Sequence, residues 1–302
     1  MKETVHRRHV LGVATAGLAA AATTACATSA PSAAPGAGHP IIANKVFVGS
    51  DGTCFQLRTV GQGDLVVIHP SLARGAADFD DIARAIAAAG FQVVSFDPRG
   101  VGATRDTGAL MARTPPVTLE DLARDVMEIV RAHGGRAHLI GHDYGNRVMR
   151  MVAVLAPEMA RSVTLWGAGS GAPPARAIEI LTIVIDNKRP FQEFRAALAE
   201  GFFAPGNDPS VWYTGWYPVA GALQVKASEH TPAARYQGGG NAPLLIVQAG
   251  QDTIAPPDRS EKLQAAIGPR AQRVVIDKAG HCLVAEQPDA VAKATVQFLR
   301  QH

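Results

Sequence analysis

Apolar residues fall along this chain in two alternating rhythms. Short apolar runs at Leu65–Ile68, Val93–Phe96, Ala137–Ile140, Ser162–Trp166, Leu244–Gln248 and Arg273–Ile276 read as strands, the most continuous of them buried on both faces. Between them come stretches with apolar residues three and four apart: Ala77–Ala89, Leu119–His133, Asn146–Leu155 and Asp289–Leu299. Gly90 ends the first of these, and Thr118 opens the second with Asp121 three residues on, a pairing that caps a helix N-terminus. Lys45–Val48 and Cys54–Val60 form an opening hairpin with its turn at Ser50-Asp51-Gly52. Strand-then-helix repetition of this kind predicts an α/β fold, a mostly parallel sheet covered by helices on both faces.

The rhythm breaks between about Gly169 and Gly240. That stretch holds two helix-forming patterns, Ala177–Ile185 and Pro190–Phe203, a Pro/Gly-rich middle, and most of the Trp and Tyr residues. It reads as a lid, residues 169–240, inserted between two halves of one core, 44–168 and 241–302. Gly238-Gly239-Gly240 has the composition of a hinge. Before the core, residues 1–27 read as an export signal. Arg7 and Arg8 precede an apolar, Ala-rich run and a small-residue region, and the arginine pair resembles a twin-arginine signal. Cys26 is a candidate site for a lipid anchor, and residues 28–43 contain too little to bury and read as a tether. The expected location is the bacterial periplasm or cell envelope.

Composition narrows the class. With 47% hydrophobic and 18% charged residues, the chain can bury a large core. A net charge of only +3, with no basic stripe, gives no basis for nucleic-acid binding. Neither Cys nor His shows metal-ligand spacing and no phosphate-binding glycine loop is present, so no cofactor is expected. Cys54 and Cys282 are expected to be unpaired, buried thiols.

The chemistry is concentrated in Gly141-His142-Asp143-Tyr144-Gly145. A buried strand runs into this segment and a helix runs out. Flanking glycines permit a tight strand-to-helix turn that lifts the central side chain, here Asp143, above the sheet. An acid and a histidine should follow in that order. Asp252 and His281 each stand just after a strand, at the edge where open α/β sheets collect their sites. Backbone N–H groups of Tyr144 and of the loop His69-Pro70-Ser71-Leu72 are the expected oxyanion donors, with Ser71 at the donor position.

Residues 45–301 resemble the α/β-hydrolase superfamily with a lid, and the loop Asp97-Pro98-Arg99-Gly100-Val101-Gly102 is similar to one common there. An Asp in the elbow resembles the epoxide hydrolases and the haloalkane and haloacetate dehalogenases. The resemblance implies that Asp143 attacks carbon to form an alkyl ester. His281, oriented by Asp252, then activates the water that hydrolyses it. Two departures bear on the subclass: those enzymes usually carry His-Gly-x-Pro where this chain has His69-Pro70-Ser71-Leu72, and haloalkane dehalogenases place a halide-binding Trp at Tyr144. By the same resemblance, lid tyrosines would protonate an opening epoxide. Tyr213, Tyr217 and Tyr236 are candidates, with Trp212 and Trp216 beside the first two. Arg147, four residues after Asp143, matches one of the arginines that hold a haloacetate carboxylate. His142 reads as a packing residue of the elbow. The expected partner is a small-molecule substrate, first an epoxide of a small apolar molecule. Carbon–halogen cleavage, ester or lactone hydrolysis, and non-catalytic binding of an apolar ligand remain as alternatives.

Overall fold

The computed structural model describes residues 40–302 apart from Asp106. The expected export signal, Cys26 and most of the tether lie outside the described residues. Eight strands form one sheet in the order β1-β2-β4-β3-β5-β6-β7-β8. They are β1 (Ala43–Val48), β2 (Cys54–Val60), β3 (Asp64–His69), β4 (Phe91–Phe96), β5 (Ala137–His142), β6 (Ala160–Trp166), β7 (Leu244–Ala249) and β8 (Ala271–Ile276). The β1–β2 hairpin and the β2–β4 pair are antiparallel, and every pairing from β3 to β8 is parallel. Central strands such as β5 and β7 are buried along their whole length, as their unbroken apolar runs require.

Helices cover both faces. α1 (Asp80–Ala88) packs one side of the sheet, and a short α2 (Gly108–Ala112) follows β4. α3 (Leu119–Ala132) and α4 (Gly145–Leu155) pack the other side through Leu122, Val126, Ile129, Val148, Met149 and Val152. Between β6 and β7 the chain leaves the sheet and forms α5 (Ala175–Ile185), α6 (Phe191–Phe202) and α7 (Pro218–Glu229). α8 (Pro257–Ile267), α9 (Leu283–Glu286) and α10 (Pro288–Leu299) complete the chain, with α10 beside α1. Among these, α2, α7, α8 and α9 have no counterpart in the sequence reading. α7 and α8 begin at prolines, which suit a first helical turn but mask the helix in a Pro/Gly-rich stretch.

At the start of α3 the Thr118 N–H donates to the Asp121 carboxylate at 2.9 Å, the reciprocal cap its spacing predicts. The Asp97–Gly102 loop is fixed by Arg99. Its guanidinium makes paired 2.7 Å bonds to Asp125 of α3 and reaches Asp51 and Thr53 of the first hairpin. This cation locks a loop, a helix and a hairpin together beneath the carboxyl edge of the sheet.

The cysteine expectation requires correction. Cys282 is a free, fully buried thiol, but Cys54 is disulfide-bonded, so the two do not bridge each other.

Removing the Arg99 cation leaves Asp125 as a buried, uncompensated carboxylate. Arg99→Met is expected to lower unfolding stability by about 3–5 kcal/mol in chemical denaturation. Arg99→Met/Asp125→Leu, which removes both charges, should recover most of that loss.

Candidate active site

The site is assembled at the carboxyl ends of β3, β5, β7 and β8. Asp143 follows β5 directly and holds φ at +48°, in the left-handed region. For a residue with a Cβ this costs on the order of 1–3 kcal/mol, and the surroundings enforce it. A Cβ on Gly141 would lie 2.4 Å from the Gly145 carbonyl, and one on Gly145 would lie 2.4 Å from the His69 carbonyl oxygen. Only glycine at both positions lets the strand turn this sharply into α4. Backbone bonds close the turn: Asp143 N–H donates to the Trp166 carbonyl and Asn146 N–H to the Asp143 carbonyl, each at 3.1 Å.

The Asp143 carboxylate has two distinct sides. Oδ2 accepts from the Ser71 hydroxyl at 2.9 Å and from the Leu72 backbone N–H at 3.2 Å. Oδ1 faces His281 Nε2 at 3.5 Å, close enough for charge attraction but without a hydrogen bond. His281 Nδ1 bonds Asp252 at 2.9 and 3.1 Å. Asp252 is fixed in turn by the N–H groups of Ile254 and Ala255, at 2.9 and 2.7 Å. Asp143, His281 and Asp252 therefore form one chain, and the last two are buried.

One donor differs in detail from expectation. Ser71 reaches Asp143 through its side chain, and the backbone N–H that reaches it belongs to Leu72. Tyr144 opens α4 in helical conformation, with its backbone N–H at the helix N-terminus.

Electrostatics couple the chain. Burial alone would raise the Asp143 carboxyl, but the His281 imidazolium at its side outweighs burial and holds it well below the usual range. Burial alone would lower His281, but the Asp252 and Asp143 charges outweigh it and push the imidazole up. The ionised Asp143 carboxylate and the His281 imidazolium are thus the favoured forms near neutral pH. Two linked consequences follow for stability. The Asp143 contribution is present above its unfolded value and lost as pH falls through the depressed folded value. The His281 contribution is present below its unfolded value and lost as pH rises through the raised one.

His142 does more than fill space. Its Nε2 donates to the His281 carbonyl at 2.8 Å, tying the elbow to the histidine loop. Burial holds its pKa down at about 4, so the ring is neutral at pH 7 with its proton on Nε2.

A cavity of about 390 Å³ opens over Asp143. Leu72, Tyr144, Leu181, Ile254 and Ala255 supply much of its apolar wall, and Arg147, Arg150, Arg259 and Ser228 are polar groups on it. The lid aromatics expected to bind substrate are elsewhere. Trp212 is buried against His142, Phe202 and Phe203, and Arg74 lies over both Trp212 and Trp216. Tyr213 packs on Phe191 and Phe194 and accepts from Arg195. Tyr217 lines a separate cleft with Asp97 and Arg58. Tyr236 stacks under Arg150. Of the expected substrate residues, only Arg147 is on the cavity wall. Arg150 and Arg259 escaped sequence reading, although Arg147 and Arg150 are three apart on α4 and so share a helix face.

Residues 65–294 match the alpha/beta hydrolase family, and the chain belongs to that family. It is 24% identical over 233 residues to the protein named non-heme bromoperoxidase BpoC of Mycobacterium tuberculosis, covering 71% of this chain and 85% of that one. It is 30% identical over 135 residues to the protein named carbamate hydrolase RutD of Variovorax paradoxus, covering 44% of this chain and 49% of the other. Among solved structures, the enol-lactonase of Burkholderia xenovorans superposes with a TM-score of 0.68 at 21% identity, covering 85% of this chain and all of that one. That likeness shows the fold.

Because Asp143 is one of the two anions that hold His281 protonated, Asp143→Asn should lower the His281 pKa. An NMR titration of the His281 ring checks this: a lower midpoint in the variant is expected.

Proposed function

We propose that this protein is a hydrolase in which Asp143 is the nucleophile and an alkyl ester on Asp143 is the intermediate. The observation that carries the reading is the two-sided environment of the Asp143 carboxylate. Oδ2 is already held by two donors, Ser71 Oγ and Leu72 N–H, while Oδ1 has none and faces His281.

In the first step Oδ1 attacks a substrate carbon and the leaving group departs with the bonding pair. A carboxylate held ionised needs no base for this step. Oδ2 becomes the ester carbonyl oxygen and remains on its two donors. Esterification also removes the Asp143 charge, so His281 is left with Asp252 alone and releases its proton to solvent. The neutral Nε2 then takes a proton from water as the water oxygen adds to the Asp143 carbonyl carbon. Negative charge develops on Oδ2, where Ser71 and Leu72 already donate, with the Tyr144 N–H as a further expected donor. Collapse expels the alcohol, which takes a proton from His281 and leaves Asp143 as a carboxylic acid; the second proton of the water then passes from Asp143 to His281, which restores the carboxylate and the imidazolium. Asp252 keeps the imidazole in the tautomer and orientation this step needs.

The fitting electrophiles are epoxides and carbon–halogen bonds. An opening epoxide requires a proton donor. Tyr144 is the tyrosine on the cavity wall, and burial raises its pKa so that the phenol stays protonated. Tyr213 and Tyr217 are off the cavity wall, which weakens the epoxide reading relative to a leaving group that departs as an anion. The family likenesses include proteins named for carbamate and enol-lactone cleavage, so esters belong in any substrate panel. The basic N-terminal segment and its small-residue region support an exported location for this chemistry.

His281→Gln removes the base for the second step only. Incubated with a panel of epoxides, haloalkanes, haloacids and esters, that variant should gain mass at Asp143, while the parent turns the same compound over. Turnover in the parent without an adduct in the variant would contradict the ester intermediate.

A further inference from the structure

Three arginines converge on the cavity over Asp143, and none of them has a carboxylate partner among the described residues. Arg147 and Arg150 come from α4 and Arg259 from α8. Arg147 reaches Ser228 through Nη1 at 3.2 Å. Arg150 is only 4% exposed. It donates to the Asn146 and Gln237 carbonyls and lies over the Tyr236 ring, and its Nη2 makes no hydrogen bond among the described residues. Arg259 donates to the carbonyls of Ser170, Gly171 and Ala172, while its buried Nε has no partner. Burial pulls the pKa of Arg150 down, to about 10, and lowers that of Arg259 as well.

A buried guanidinium without a carboxylate is a costly arrangement, because carbonyl dipoles offset only part of the lost hydration. Elsewhere among the described residues the buried Arg99 and Arg74 meet acids, Asp125 and Asp78, whereas the half-buried Arg270 rests on the Ala242 and Gly238 carbonyls alone. Two carboxylates border the cavity. Asp143 is compensated by His281, and Glu229 is exposed and within 4 Å of no arginine. The cavity therefore carries an excess of positive charge next to a reacting carboxylate. Free guanidinium donors in a partly apolar cavity of about 390 Å³ suit a compact, planar oxyanion.

We propose that the substrate is a small organic acid whose carboxylate is held by Arg150 and Arg259, with Arg147 beside them, while its reactive carbon is presented to Asp143. This rests on the reading of the Asp143 cavity as the active site and adds the substrate class. The carboxylate supplies the missing counter-charge, and its fixed position sets which carbon faces Oδ1.

The test separates binding from chemistry. Calorimetric titration of the full chain would use unreactive pairs that differ only in charge: alkanoates and arylacetates, each against its own amide. At least one acid should bind at least about tenfold more tightly than its amide, and raising the salt concentration should weaken the acid and not the amide. Arg150→Met and Arg259→Gln should each erase the preference. Arg147→Gln and Arg259→Gln stand at half-exposed positions and carry the test if Arg150→Met does not fold. Equal affinity within every pair, no binding of any acid, or a preference that survives loss of Arg259 together with Arg147 would overturn the proposal. The Asp143 reading is judged separately by the adduct in His281→Gln: acid preference without an adduct would sink the nucleophile and keep the anion site. An adduct formed equally from neutral and acidic substrates, with no binding preference, would do the reverse.

Discussion

Holding Asp143, at the cavity floor, in one line with the buried His281 and Asp252 is the constraint on which the rest of the site depends. Any one of these groups ionised alone in the interior would cost several kcal/mol, on the order of the whole stability of a domain. Together they form an anion–cation–anion sequence whose members offset one another. The fold supplies the fixed points of this line. Asp252 is clamped by two N–H groups of its own turn, His281 by Asp252 on one side and by His142 through its carbonyl, and Asp143 by Ser71 and Leu72. The clamps come from the carboxyl ends of β3, β5 and β7, so the parallel sheet sets the geometry of the site.

The same coupling gives the line a built-in order of events. With Asp143 ionised, the two neighbouring carboxylates favour the cationic imidazole. In the mechanism we propose, esterification would neutralise Asp143, remove one of the two anionic neighbours of the imidazole and make the ring available to take a proton. A strained elbow serves this sequence by keeping Asp143 at the junction of the cavity and the imidazole. The glycines at 141 and 145 make that strain sustainable, because a single added methyl at either would collide with backbone.

Much of this was legible before any coordinates. Continuous apolar runs marked β3 to β7 because strands buried on both faces admit little else, and Thr118 with Asp121 marked the start of α3. Asp143, Asp252 and His281 were legible because each follows a strand in the order this turn chemistry demands, and the structure brings all three together. What failed to read out was everything set by tertiary proximity. Aromatic richness between β6 and β7 suggested a substrate surface, yet Trp212 and Trp216 are spent on packing around Arg74. Arg259 stands more than a hundred residues from Asp143, and no local pattern links them. Whether a donor is the Ser71 amide or its hydroxyl depends on backbone orientation, which residue type alone does not report.

The most direct test of the covalent account follows the oxygen. A single turnover in water enriched in oxygen-18, with enzyme in excess of substrate, followed by peptide mass analysis, distinguishes attack by Asp143 from direct attack by water. The account predicts that the label enters the Asp143 carboxylate and that the first product carries none. Label found in the product, with Asp143 unlabelled, would contradict it and make Asp143 a base or an electrostatic anchor instead of the nucleophile.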